Sequence, residues 1–269
     1  MAHYKIPLIF MLMLLMMHSI HVSAQQEIIN LHLARPSLIE SPKNQYIHAL
    51  LTQSFAKVGK KVNFIYSVTP MNNKRVVEEL AKKDSIDLTW LAIAPASHPT
   101  LLHTSIPIYK GLHGKRLLLI NKKQQQRFAN INTLDDLKPL IALQKQSWTD
   151  FAVLKRNGLT VNGELDYKSM LKAINSGLAD YFPRSVSAIE AEIAKQQHLN
   201  LMIEPNIMLQ YPSSYFFYAH ESNKELISLL ETGLLEMQKS GDFDILYSNF
   251  FGIAEKRLER YAKKVFYLH

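Results

Sequence analysis

The sequence predicts an α/β protein of two lobes joined by two hinge crossovers. Three observations carry this. Strand-like and helix-like segments alternate through most of the chain beyond residue 26. One α/β unit is interrupted by a second, after which the chain returns to the first. The 269 residues contain no cysteine, so the core must be large enough to hold without disulfides or a thiolate metal site.

The first 26 residues, MAHYKIPLIFMLMLLMMHSIHVSAQQ, stand apart. One basic residue, Lys5, precedes an apolar run from Ile6 to Met17, and the segment ends in Val22-Ser23-Ala24, small residues suited to signal peptidase. This is the pattern of a secretory signal peptide over residues 1–24, cleaved before Gln25. As an uncleaved anchor the run falls short of the ~20 residues that span a bilayer. No cysteine follows it, so it is not a lipoprotein leader. Export without cysteine suits a periplasmic protein. Cleavage would leave 245 of the 269 residues, with no further apolar stretch long enough to span a membrane, so the mature protein is expected to be soluble.

Residues 27–34, EIINLHLA, alternate apolar and polar and read as a strand. Residues 42–59 place Tyr46, Ile47, Leu50, Leu51, Phe55 and Val58 on one helical stripe that stops at Gly59. Residues 61–67 read as a strand, 73–84 as a helix and 86–93 as a third strand. This βαβαβ opening predicts a parallel sheet flanked by helices. From 105 to 123 a loop with two glycines feeds a strand containing Leu117–Ile120. A short helix and a strand follow over 133–145. Residues 147–158 read as a helix opened by Ser147 and stopped by Gly158, and 166–177 as a helix ended by Gly177. Leu178–Phe182 reads as a strand, Pro183-Arg184-Ser185 as a turn, 185–196 as a helix, and 199–205 as a strand. Residues 213–220 read as a returning strand. Two helices fill 223–252, the first with Leu226, Leu229, Leu230, Leu234 and Met237 in register. The basic, aromatic-interrupted residues 253–269 read as a frayed helical tail.

The lobes therefore divide as 25–115 for the first part of lobe 1, 116–213 for lobe 2, and 214–269 for the return to lobe 1 with the C-terminal helices. Extended segments near 114–121 and 213–220 connect them. Two connections make a hinge, and the cleft between the lobes is the expected ligand site.

The net charge of +8 falls to +7 without Lys5. The basic residues are scattered, as at Lys60-Lys61, Lys82-Lys83, Lys122-Lys123 and Lys263-Lys264, which describes a solvated surface rather than a nucleic-acid face. Lys110, Arg116 and the basic tail are expected on that surface. No His-Glu-x-x-His, Gly-x-Ser-x-Gly or phosphate-binding glycine loop is present, and the eleven histidines have no ligand spacing. No enzyme, cofactor, metal or nucleic-acid partner is expected. Asp150, His98 or Glu190 would supply acid or base if the fold did carry an enzyme.

Four segments in order carry a resemblance: Ser105-Ile-Pro-Ile-Tyr109, Thr133-Leu-Asp-Asp-Leu137, Gly177-Leu-Ala-Asp-Tyr181 and Gly241–Gly252. They resemble the amino-acid-type periplasmic solute-binding proteins, extracellular solute-binding family 3, over nearly the whole mature chain. Residues 106–120 and 180–193 are closer to a divergent, poorly characterised branch of predicted substrate-binding proteins. The resemblance implies a type II periplasmic binding fold and a monomeric protein. Such a protein would close on a small polar ligand, an amino acid or related carboxylate. Its partner would be an ABC-type membrane permease or, alternatively, a membrane receptor that it serves as a sensor.

One departure bears on the site. The family's carboxylate-gripping arginine belongs about seven residues before Ser105, where this chain has Ala-Pro-Ala-Ser-His-Pro. Arg184, read at a strand-to-helix junction, is the candidate replacement, because a guanidinium there joins the helix N-terminus in gripping a carboxylate. A salt bridge to a helix carboxylate such as Glu190, or a solvent-facing turn, stands as the alternative. Further candidates sit at strand ends: Arg35, Trp90, Ser97, His98, Tyr109, Trp148 and Asp150. Trp148 suits a stacking wall and Asp150 an ammonium partner. Against this, Trp90 is core-like, Tyr109 suits hinge packing, and Asp150 suits a helix N-terminus.

Overall fold

The structure of the protein is a computed structural model describing residues 27–36, 41–83, 85–93 and 98–269. The expected signal peptide lies outside the described residues, as does Ser97.

The first lobe begins with β1 (Ile28–Arg35) and β2 (Lys61–Pro70), paired in parallel around α1 (Pro42–Lys57). The Ser41 hydroxyl accepts the Asn44 N–H at 3.3 Å, and Pro42 occupies the first turn, where its missing N–H costs no hydrogen bond. The stripe Tyr46, Ile47, Leu50, Leu51 and Phe55 is fully buried. α2 (Asn73–Lys82) is capped by Asn72, whose Oδ1 accepts the Arg75 N–H at 2.9 Å. The third strand is shorter than its sequence suggests: β3 covers only Thr89–Leu91. A strand without a clear signal, β4 (Leu101–His103), completes a three-stranded sheet with β10 (Phe216–His220) antiparallel between them. The Asp87 N–H donates to the His32 carbonyl at 2.9 Å, tying β1 to the segment that leads into β3.

The second lobe is one six-stranded sheet in the order β11-β9-β5-β8-β6-β7. Its strands are β5 (Lys115–Asn121), β6 (Ile141–Leu143), β7 (Thr160–Asn162), β8 (Tyr181–Ser185), β9 (Leu201–Gln210) and β11 (Lys264–Tyr267). Its helices are α3 (Gln125–Ala129), α4 (Thr149–Arg156), α5 (Tyr167–Ser176) and α6 (Ile189–Ala194). Parallel pairs arise where a helix joins two strands, as β6 with β7 and β8; β5, which enters from the crossover, runs antiparallel to β8 and β9. The sheet is coated by Leu118, Ile120, Phe128, Leu137 and Tyr181 on one side and joins the main core through Leu117, Leu119 and Phe182 on the other.

Three local readings change. Residues 183–185 continue β8 instead of turning. Pro183 is tolerated there because β8 pairs with β6 only at Tyr181, so no ladder partner needs the missing N–H beyond that point. The next helix starts at Ile189, so Arg184 lies within a strand and not at a helix N-terminus. At α4 the capping position belongs to Trp148, without a side-chain cap, and not to Ser147. The tail is not frayed. After α7 (Lys224–Ser240), α8 runs from Asp242 to Tyr261, and residues 264–267 add β11 to the second-lobe sheet beside β9.

Residues 104–114 carry the chain into the second lobe and 211–215 bring it back. The two crossovers lie side by side, with the Ile108 N–H on the Tyr215 carbonyl at 2.9 Å and the Tyr211 N–H on the Gly114 carbonyl at 3.1 Å. Tyr46 of α1 donates its hydroxyl to the Ile108 carbonyl at 2.5 Å. Around it Tyr109, Tyr247, Phe250 and Phe251 form an aromatic cluster that anchors the crossover. α8 makes a further passage between lobes, and its Arg257 donates to the Glu190 carboxylate at 2.5 Å and to the Val186 carbonyl. No helix among the described residues is long and apolar enough to cross a membrane.

Candidate functional site

The crossovers form the floor of a cleft between the lobes. Its main chamber, about 490 Å³, is walled by Asn73, Lys74, Val77 and Leu91–Ile93 of the first lobe and by Ser147–Asp150 of the second. A chamber of about 250 Å³ lies on the α1 side, lined by Pro36, Ser41, Lys43, Asn44, Trp90 and Tyr109. A third, about 290 Å³, reaches Pro183–Ser185 at the end of β8. His113 and Tyr215 line all three, so the chambers are parts of one cleft.

Two ion pairs organise the second-lobe wall. Arg116, at the start of β5, grips Asp150 with Nε at 2.7 Å and Nη2 at 3.2 Å, and Asp150 also accepts the Tyr211 hydroxyl. Both side chains of the pair are 15% exposed. The Arg116 guanidinium lies over the Tyr211 ring, 5.6 Å from its centre. The expectation that Arg116 is a surface residue is therefore corrected. It precedes the buried run Leu117–Asn121, and its place next to the crossover turns it into the cleft.

Arg184 makes the second pair, donating from Nε at 2.6 Å and Nη2 at 2.5 Å to the Glu192 carboxylate. Its guanidinium sits 4.5 Å from the Phe182 ring centre, 5.3 Å from Tyr167 and 5.4 Å from Trp148. Trp148 and Phe182 are nearly parallel at 6.4 Å. A salt bridge to a helix carboxylate is thus what the structure holds, with Glu192 as the partner; Glu190 pairs with Arg257 instead. Of the candidates, Arg184, Trp148 and Asp150 come together on the wall of one chamber. Trp90 and Tyr109 meet in another, with Tyr109 almost entirely buried in the hinge cluster. Arg35 and His98 line none of the three chambers: Arg35 is exposed, its N–H bound to Ser67 Oγ at 2.9 Å and its Nη1 reaching the Val68 carbonyl at 3.4 Å.

Lys43 and His113 were not picked out by sequence reasoning. Lys43 stands in the first turn of α1, just beyond the C-terminal end of β1, which is where open α/β sheets gather ligand contacts. Its position was a usable signal. It makes no ion pair among the described residues. The residue as a whole is exposed, but burial of its ammonium first, and Arg116 second, lower its pKa. His113 carries no local signal. Its ring packs edge-on against Tyr109 at 4.4 Å and tilts toward Tyr215 at 4.9 Å. Burial first, then Lys43 and Arg116, push its pKa down to about 4, so it is neutral at pH 7. Its Nε2 is buried without a hydrogen-bond partner among the described residues. Burial also raises the Tyr215 hydroxyl. No group of three or more His, Asp or Glu among the described residues is placed to hold a metal ion.

No family profile and no curated protein matches the sequence. Solved structures do match the fold. A Bacillus subtilis protein, YckB, aligns at TM-score 0.57 and 17% identity over 89% of this chain and 96% of its own. The L-cystine solute receptor of Neisseria gonorrhoeae, in its unliganded open conformation, aligns at 0.56 and 15% over 85% and 94%. The second substrate-binding domain of Lactococcus lactis GlnP, also open, aligns at 0.54 and 18% over 84% and 96%. With the sheets, paired crossovers and cleft described above, these similarities establish the two-lobed type II periplasmic-binding-protein fold.

Proposed function

We propose that this chain is a solute-binding protein whose lobes close on a small polar ligand, an amino acid or related carboxylate, and present it to an ABC-type membrane transporter. The observation that carries this reading is the cleft itself. It is walled by both lobes, floored by two hydrogen-bonded crossovers, and supplied with aromatic rings and a few convergent polar groups. The substrate-binding names of the similar structures support it. Arg184 and Trp148 serve as the second-lobe wall, and Lys43 of α1 lines the same chamber.

A ligand shifts the lobes only if it binds the closed state better than the open one. The test is a thermal-shift screen of the purified chain over amino acids, peptides, polyamines and organic acids. Ligand at 100 times its Kd adds ~2.7 kcal/mol to stability. Each hit is then followed by small-angle scattering for closure and by a turnover assay. A stabilising hit that contracts the particle and is recovered unchanged is expected. Chemical conversion of the hit, or stabilisation without contraction, would overturn the reading.

A further inference from the structure

We propose that the cleft selects carboxylates that lack an ammonium group over amino acids, because the carboxylate that lines its second-lobe wall among the described residues, Asp150, is already engaged by the protein's own Arg116. The inference rests on the solute-binding reading above and narrows its ligand class.

An amino acid presents a carboxylate and an ammonium, and the ammonium needs a carboxylate in return. Among the described residues Asp150 is the carboxylate that lines the cleft, and it is held by two Arg116 nitrogens and the Tyr211 hydroxyl. Glu192, behind Arg184, is held in the same two-pronged way. An ammonium would have to displace a guanidinium from one of them while standing beside Lys43 and Arg116, where like charge repels it.

An incoming carboxylate meets the opposite situation. Lys43 has no ion-pair partner among the described residues. Arg116 spends Nε and Nη2 on Asp150 and keeps its remaining N–H groups. His113 lines the same chamber as Lys43 and Arg116, with its Nε2 buried and unpartnered among the described residues. Two cationic donor groups, Lys43 from α1 and Arg116 from β5, therefore line one space with no pair to break.

The experiment is isothermal titration of the purified chain with matched pairs differing by one amine: succinate against aspartate, and glutarate against glutamate. The amine-free acid is expected to bind at least tenfold more tightly in at least one pair. Equal or tighter binding of the amino acid, or no binding by either member of both pairs, overturns the inference. Two variants sharpen it. Asp150→Asn is expected to raise affinity for the bound acid at least threefold, since Arg116 loses its internal competitor; a loss of affinity, with the melting curve still cooperative, places an ammonium at Asp150 and overturns the proposal. Lys43→Ala, a substitution at the exposed cleft mouth, is expected to weaken the acid about tenfold, and unchanged affinity overturns it. A neutral or cationic hit from the broader screen that closes the lobes would sink this inference and leave the solute-binding reading intact.

Discussion

Gly114 lies so close to Tyr211 that a Cβ on it would stand 1.9 Å from the Tyr211 carbonyl oxygen. The two residues also share one of the two hydrogen bonds named above between the crossovers, so the backbone on neither side is free to give way. Gly114→Ala is expected to destabilise the protein by about 1–3 kcal/mol, the usual cost of overpacking. That corresponds to about 2–4 °C in Tm per kcal/mol for a chain of this size. Gly111→Ala is the control. Gly111 has φ +72, but a Cβ on it would meet nothing within 4 Å, so the substitution carries backbone strain alone, about 1–2 kcal/mol. Thermal melting with scattering separates them: only Gly114→Ala should also change the particle dimensions, and identical scattering for both would show that the crossovers do not depend on this contact.

His113 gives the cleft a pH dependence with a fixed sign. Its folded pKa of about 4 lies below the 6.5 of the unfolded chain, so the unfolded state binds more protons between those values. Stability is fully present above pH 6.5 and is lost as pH falls toward 4, by about 1–3 kcal/mol once screening in the open cleft is allowed for. Lys43, Arg116 and Asp150 share its chamber, and Tyr109 and Tyr215 pack on its ring. His113→Gln is expected to flatten the melting-temperature profile from pH 6.5 to 4.5. A variant profile parallel to that of the wild type would assign the acid sensitivity elsewhere.

Much of this arrangement was legible in the sequence, for identifiable reasons. α1, α5, α7 and the start of β9 follow from apolar periodicity and end signals such as Gly59 and Gly177. The cleft followed from one α/β unit interrupting another. What failed were positions where pairing between distant strands decides the outcome. Pro183-Arg184-Ser185 reads locally as a turn, yet the ladder with β5 holds it extended. Arg116 reads as one more scattered cation until Asp150, 34 residues away, and Tyr211 meet it. The tail became β11 because the open edge of β9 receives it, which its own composition does not announce.

Glu204 shows the reverse pH behaviour. It is fully buried at an irregularity in the β5–β9 pairing, where Pro205 follows it. Its Oε2 accepts the N–H groups of Asn206, at 2.8 Å, and Ile207, while Oε1 has no partner among the described residues. Burial raises its pKa despite those two hydrogen bonds. A carboxyl raised in the folded state contributes stability below its unfolded pKa of about 4.3 and loses it as pH rises through the folded value. Glu204→Gln keeps an acceptor for the two N–H groups and removes the buried charge. The variant is expected to gain about 1 kcal/mol at pH 7 and nothing at pH 4. Denaturant melts at the two pH values decide it; a variant less stable than wild type at pH 7 would mean that the charge is needed to hold the bulge.

Arg184 fills a box that its own guanidinium fits. Phe182, Tyr167 and Trp148 supply aromatic surface, and Glu192 supplies a two-pronged acceptor. The two charged side chains are 16% and 17% exposed, so removing one leaves the other largely desolvated. Arg184→Ala is expected to cost about 2–4 kcal/mol, somewhat less than a fully buried pair because part of Glu192 still meets water. Arg184→Lys is expected to recover less than half of that, since an ammonium cannot make the planar fork or stack as a guanidinium does. The sharper test is chemical rescue. If shape and charge complementarity hold Arg184 in place, methylguanidinium at low millimolar concentration should enter the vacated box. It should raise the Tm of Arg184→Ala and leave wild type unchanged, with methylammonium at the same concentration having little effect. Equal responses of wild type and variant to both cations would show that the box has no preference for a guanidinium, and that Arg184 is held there by its charge alone.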